Sequence, residues 1–209
     1  MDRSQNAENL DYIQSAMLPF LESVGFKLNQ RTFTRTCEPG LIQVISFGMG
    51  QSWSMYHGKF TVDIGVYIQE AYLALHPFIK KPPKKVTGMH CEISRRLPAF
   101  HANVEDYWWD LNPPFENTIQ ELIQLLQKYG LLFLDGLRSR NEIIEQWKTK
   151  GNLIGFPPRG KLSIAIIQAK LGNVSEAARL AREEYHKKES QPYSEFVLQV
   201  MNAMGLEVQ

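Results

Sequence analysis

The spacing of apolar residues changes once within the first quarter of the chain, and that change separates the first elements. Leu10, Ile13, Met17, Leu18, Leu21 and Val24 recur three and four positions apart, the spacing of one face of an α-helix. The pattern predicts a helix over residues 8–24, closed by Gly25 as a left-handed cap. Pro19 falls inside it. Proline lacks the N–H of its turn and crowds the turn before it, so a kink near Met17 or a start in two pieces is expected. From Phe26 the period shortens to alternation: Phe26, Leu28 and Phe33 stand among Thr32, Thr34 and Thr36, with Asn29-Gln30 bending the run. Glu38-Pro39-Gly40 reads as a turn, residues 41–47 and 60–67 as β-branched, apolar strands, and residues 48–58 as a long loop bounded by glycines. A three-stranded antiparallel meander backed by the first helix is the predicted product.

The middle of the chain is less regular. Lys80-Lys81-Pro82-Pro83-Lys84-Lys85 holds two prolines and four like charges, which oppose both helix and central strand and leave a solvated loop. Residues 90–96 alternate enough for a fourth strand, and residues 97–114 are rich in aromatics and prolines. Helical periodicity then takes over in residues 117–129, 131–150, 161–171, 174–188 and 193–204, with Gly130, Gly151, Gly160 and Gly172 at their ends. Strands followed by helices are the signature of an α+β fold. The predicted architecture is one domain, with a sheet part over residues 8–115 and a helical part over residues 116–209.

The first block also resembles a known family. The carriers are Leu18-Pro19-Phe20-Leu21-Glu22-Ser23-Val24-Gly25-Phe26, Arg31-Thr32-Phe33-Thr34-Arg35, Ile42-Gln43-Val44-Ile45-Ser46-Phe47 and Phe60-Thr61-Val62-Asp63-Ile64-Gly65-Val66-Tyr67. Together they resemble a family of mostly bacterial proteins known as domain of unknown function 4304. The resemblance implies an α+β fold and brings no activity or functional residue with it. Further on, Ile164-Ala165, Leu171-Gly172-Asn173 and Ala177 resemble one tetratricopeptide-type helical hairpin. A solenoid needs about three such repeats to bury its faces, so a terminal hairpin packed on the rest of the domain is the preferred reading.

Composition bounds the function classes. At 209 residues with 44% apolar content the chain is long enough for a self-sufficient core. Lys plus Arg number 23 against 22 Asp plus Glu, so no long-range field draws the chain to nucleic acid or an anionic membrane. The polar start lacks the apolar core of a secretory signal, and no stretch approaches the roughly 18 apolar residues of a membrane span. A cytosolic protein is expected. Cys37 and Cys91 are the two cysteines, expected as reduced thiols in that compartment, with a single bridge as the poorer alternative.

Motifs for chemistry are sparse. Phosphate-loop, paired-cysteine zinc, His-Glu-x-x-His and Gly-x-Ser-x-Gly patterns are missing, and no cofactor, metal ligand or catalytic residue is assigned. His90-Cys91-Glu92, read as strand, would send Cys91 to one face and its neighbours to the other, so Cys91 reads as structural. Arg159, Lys161 and the amides of the helix start after Gly155-Phe156-Pro157-Pro158 form a candidate anion site. Trp53, Tyr56 and His57 lie in the glycine-bounded loop, where exposed rings are typical anchors of protein interfaces and rings packed into the core are an equal alternative. Glu105-Asp106-Tyr107-Trp108-Trp109-Asp110 joins large rings to carboxylates suited to a basic partner surface, with Asp106 and Asp110 as candidate contacts, although core-filling tryptophans explain the rings as well. The leading expectation is a non-catalytic module that binds a protein partner, with toxin neutralisation of the immunity type as one form by analogy of build. The alternative is an enzyme with a site between the sheet and the long loop, using Asp63, His57 or His101 as acid or base.

Overall fold

The computed structural model describes residues 3–100, 107–187 and 190–206. Helix α1 (Arg3–Ser23) opens the chain and buries Leu10, Ile13, Met17 and Leu21 completely. It runs without interruption through Pro19. Both Pro19 and Ser15, whose carbonyl the proline cannot bond, lie on the exposed side, where solvent replaces the missing donor.

Strands β1 (Lys27–Asn29), β2 (Thr32–Glu38), β3 (Leu41–Met49) and β4 (Lys59–Ile68) follow as an antiparallel meander. Two short strands, β5 (Ile93–Arg96) and β6 (Trp109–Asp110), complete a six-stranded sheet by pairing with β4 at different points along it. β6 meets Lys59 and Phe60, whereas β5 meets Asp63 to Val66. The register sets Phe33 opposite Ile45, Ile45 opposite Ile64, and Phe47 opposite Val62. Because side chains alternate along a strand, these residues share one buried face with Leu41, Phe60, Val66 and Ile68. On the opposite face Val44 and Tyr67 are buried near a 3-10 turn at Gly88–His90 that packs on β3 and β4.

After β4 comes α2 (Gln69–Leu75), and after β6 come α3 (Glu116–Leu125) and α4 (Leu131–Asp135). Gly130 was expected to end a helix and does not. A π-helical turn, Leu126–Gly130, joins α3 to α4. A Cβ at Gly130 would lie 3.0 Å from Leu126 Cδ2 and 3.1 Å from Leu97 Cδ1, so glycine serves close approach there. The expected helix over residues 131–150 breaks instead at Gly136 to Ser139, where Ser139 caps α5 (Arg140–Lys150) by accepting from the Glu142 amide. Helices α6 (Gly160–Lys170), α7 (Val174–His186) and α8 (Gln191–Ala203) complete the α+β architecture. α6 buries Gly160 and every residue from Leu162 to Gln168, and Ala165 and Ala177 are fully buried where it packs on α7.

Two polar clusters fasten the layers. Gln43, wholly buried on β3, donates to the carbonyls of Leu134 and Leu137 at the end of α4 and accepts from Arg35 Nε at 2.9 Å and Nη2 at 2.7 Å. Arg35 also donates to Val24 O at 2.9 Å and Asp135 Oδ1 at 2.7 Å, and lies 4.7 Å over the Phe26 ring. Arg140 pairs with Glu70 at 2.6 Å and Glu38 at 2.7 Å and donates to Pro39 O at 3.0 Å, tying α5 to α2 and the β2–β3 turn. Cys37 and Cys91 are unbridged, and among the described residues no helix is long and apolar enough to cross a membrane.

Gln43→Met keeps the volume but removes a donor from Leu134 O, which retains the Leu137 amide, and from Leu137 O, and takes the acceptor from Arg35 Nε, so a loss of about 1–3 kcal/mol is expected in urea unfolding. A change below about 0.5 kcal/mol would show that those groups rehydrate freely. Ala177→Leu should lower stability by about 1–3 kcal/mol through overpacking of the α6–α7 contact. An unchanged thermal midpoint would mean the hairpin opens without strain.

Candidate functional site

The loop between β3 and β4 is short of regular structure but held at both ends. Gly50 N–H donates to Lys59 O at 2.9 Å, and Lys59 N–H to Tyr56 O at 3.0 Å. A Cβ at Gly50 would fall 1.9 Å from Tyr56 O, so only glycine lets the chain return this tightly. At the base, Leu111 N–H donates to Gly58 O at 2.8 Å, which joins the loop to the segment after β6.

Within this frame the rings divide into anchors and tips. Tyr56 is half-buried and stacks on Trp108 at 4.4 Å between centroids. The Arg96 guanidinium lies 5.1 Å over the same Trp108 ring and 3.7 Å from Asp63 Oδ1. Trp109 is buried, stacks on Phe60 at 5.6 Å, and donates from Nε1 to Glu121 at 3.0 Å. Trp53 and Met55, in contrast, are 85% and 84% exposed. Of the two rings that the sequence leaves open between surface and core, Trp53 projects and Tyr56 is taken by Trp108. Met55 was not singled out, since a lone methionine in a polar run carries no periodic signal.

The other sequence candidates are scattered. His57 is exposed on the loop, and Asp110 is exposed on β6 with Lys59 Nζ 3.9 Å away. Asp106 and His101 lie outside the described residues. Lys161 turns to Glu183 at 2.9 Å while Arg159 lines a different cavity, so the expected anion site does not assemble from the pair. Burial raises the Asp63 carboxyl, against a lowering by Arg96. Among the described residues the His57 side chain makes no hydrogen bond or ion pair with Asp63. Of the acid or base candidates at this loop, Asp63 and His57 are therefore not joined to one another among the described residues, and His101 lies outside them. Burial pushes the Cys91 thiol up, with Asp63 and Glu92 adding to the rise, so the sulfur stays protonated. Among the described residues no group of three His, Cys, Asp or Glu could hold a metal ion.

The model of a family described as Domain of unknown function (DUF4304) matches residues 17–136, more than half of the chain. The chain belongs to that family. No curated protein and no solved structure matches it. The family region runs from the middle of α1 to the end of α4 and therefore contains the sheet, the 48–58 loop and the Tyr56–Trp108 stack. It stops before α6 and α7, so the tetratricopeptide likeness of that hairpin gains nothing from the match.

Trp108→Ala removes the platform under Tyr56. Stability should fall by about 1–2 kcal/mol from lost stacking and cation contact, and amide exchange should quicken in residues 51–57 while β3 and β4 keep their protection. Unchanged exchange in the loop would show that the glycine-bounded backbone alone holds it.

Proposed function

We propose that the protein is a non-catalytic protein-binding module that presents Trp53 and Met55 to its partner. One observation carries the reading: two large apolar side chains stand almost fully in solvent on a loop whose base is held by hydrogen bonds and a ring stack. Leaving such surface in water forgoes about 25 cal/mol for every Å² that a partner could cover. A loop already held in shape loses less entropy on docking than a floppy one. Lys59, His57 and Asp110 supply a polar rim around the tip, with both signs of charge in reach of a mixed protein surface. Residues suited to chemistry at this loop stand apart, which favours recognition over turnover. Toxin neutralisation of the immunity type is one form such binding takes, proposed on likeness of build alone.

The test is affinity capture of the tagged protein from its own cells, read by mass spectrometry, beside the Trp53→Ala/Met55→Ala double variant. The variant should melt within about 0.5 kcal/mol of the parent, because neither side chain contributes to the core. Capture should weaken by more than about 1 kcal/mol, the scale of an interface hot spot. A normally folded variant that retains the same partners at full strength would remove the loop from the binding surface.

A further inference from the structure

A second site lies away from the loop, where the sheet part meets α6. A cavity of about 290 Å³ is lined by Tyr72, His76, His90, Glu92, Phe156 and Arg159 among others, at the small end of ligand pockets. Two of the groups flagged in the sequence, His90-Cys91-Glu92 and Arg159, meet here. Residues 88–90 form a 3-10 turn instead of the expected strand, so His90, Cys91 and Glu92 all line one space. His76, at the end of α2, was not anticipated.

Backbone contacts set the proton on each ring. His76 Nδ1 lies 2.8 Å from Tyr72 O, and a carbonyl only accepts, so Nδ1 carries a proton and, in the neutral ring, Nε2 keeps its lone pair. For His90 the arrangement is reversed. The Thr87 amide donates to His90 Nδ1 at 3.0 Å, so the neutral ring carries its proton on Nε2. The two rings flank Tyr72, at 4.8 Å and 5.5 Å between centroids. Glu92 is 5% exposed, and its Oε1 accepts from Ser163 of α6. Among the described residues its Oε2 has no protein donor. Arg159 is close enough for its charge to act on Glu92, yet its Nε is buried without a hydrogen-bond partner.

The cavity therefore offers two donors, the Arg159 guanidinium and His90 Nε2–H, and two acceptors, Glu92 Oε2 and His76 Nε2. We propose that it binds a free α-amino acid with an apolar side chain, the carboxylate held by Arg159 and His90 and the ammonium by Glu92 and His76. Arg159 and Glu92 give the space paired opposite charges, which match a zwitterion. A simple anion would face the Glu92 carboxylate and a simple cation the Arg159 guanidinium, each a repulsive contact that selects against it. Phe156 and Pro157 give this mostly polar cavity an apolar edge, beyond which Met89 stands almost wholly in solvent. Burial raises the Glu92 carboxyl, opposed by the Ser163 hydrogen bond, then by the charge of Arg159, and by that of His76 when its ring is protonated. A bound ammonium adds to those opposing influences and keeps the carboxylate ionised.

Titration calorimetry of the purified full chain tests this with L-valine, L-leucine, L-methionine and L-phenylalanine. At least one should bind, and its deaminated acid and its decarboxylated amine should each bind at least about tenfold more weakly. Inorganic phosphate should give no heat of binding. Glu92→Gln should reduce the preference for the amino acid over its deaminated acid, and Arg159→Gln the preference over its decarboxylated amine. His76→Gln reads the same ammonium contact if Glu92→Gln does not fold. Absence of binding by all four amino acids at millimolar concentration overturns the proposal, as does phosphate or a truncated analogue binding as tightly. Neither result bears on partner capture through Trp53 and Met55, which lie outside this cavity.

Discussion

The structure depends on one buried amide. Gln43 sits in the middle of the apolar sheet face with no exposure to solvent, where an unpaired polar side chain would be costly. Its two donors take Leu134 O in α4 and Leu137 O just beyond it, and its acceptor takes Arg35, so the side chain is satisfied only when sheet and helix are docked in one position. Arg35 passes the constraint to the end of α1 through Val24 O and to Asp135. Hydrophobic burial supplies the drive for these layers to meet, but it is indifferent to small slides. The hydrogen-bond geometry at Gln43 is not.

Much of this was legible in the order of residues. Alternation around Phe33, Ile45 and Ile64, the Pro39-Gly40 turn and the three-and-four spacing of Leu10 to Leu21 all reflect local rules, and those elements form where the rules put them. What escaped is non-local. Gly130 looks like a stop when only its own backbone freedom is considered, and its role as a point of close approach to Leu97 needs the folded neighbour. Arg140 begins a helix and gives no hint that Glu38 and Glu70 will surround it. Whether Tyr56 projects or packs stays open in the sequence because its partner, Trp108, stands more than fifty positions away. His76 and His90 face a common ring only because the chain between them returns over the sheet.

The family match falls differently on the two proposed sites. The exposed tip at Trp53 and Met55 and its stacked support lie wholly within the matched region. The polar cavity is built across the boundary, with Tyr72, His76, His90 and Glu92 from the family region and Phe156 and Arg159 from the turn before α6, whose Ser163 holds Glu92. A property belonging to the loop can thus be shared by relatives that lack these helices, whereas a property of the cavity requires them.

The contact between Ser94 and Gly155 has a further consequence. β5 forms one margin of the sheet, and its Ser94 amide donates outward to Gly155 O at 3.1 Å, from a turn just before α6. That turn shields a row of backbone groups that would otherwise be a template for pairing with another chain. The C-terminal helices therefore act as a guard on the family unit, and a shortened chain ending near residue 136 would carry a bare strand margin prone to self-association.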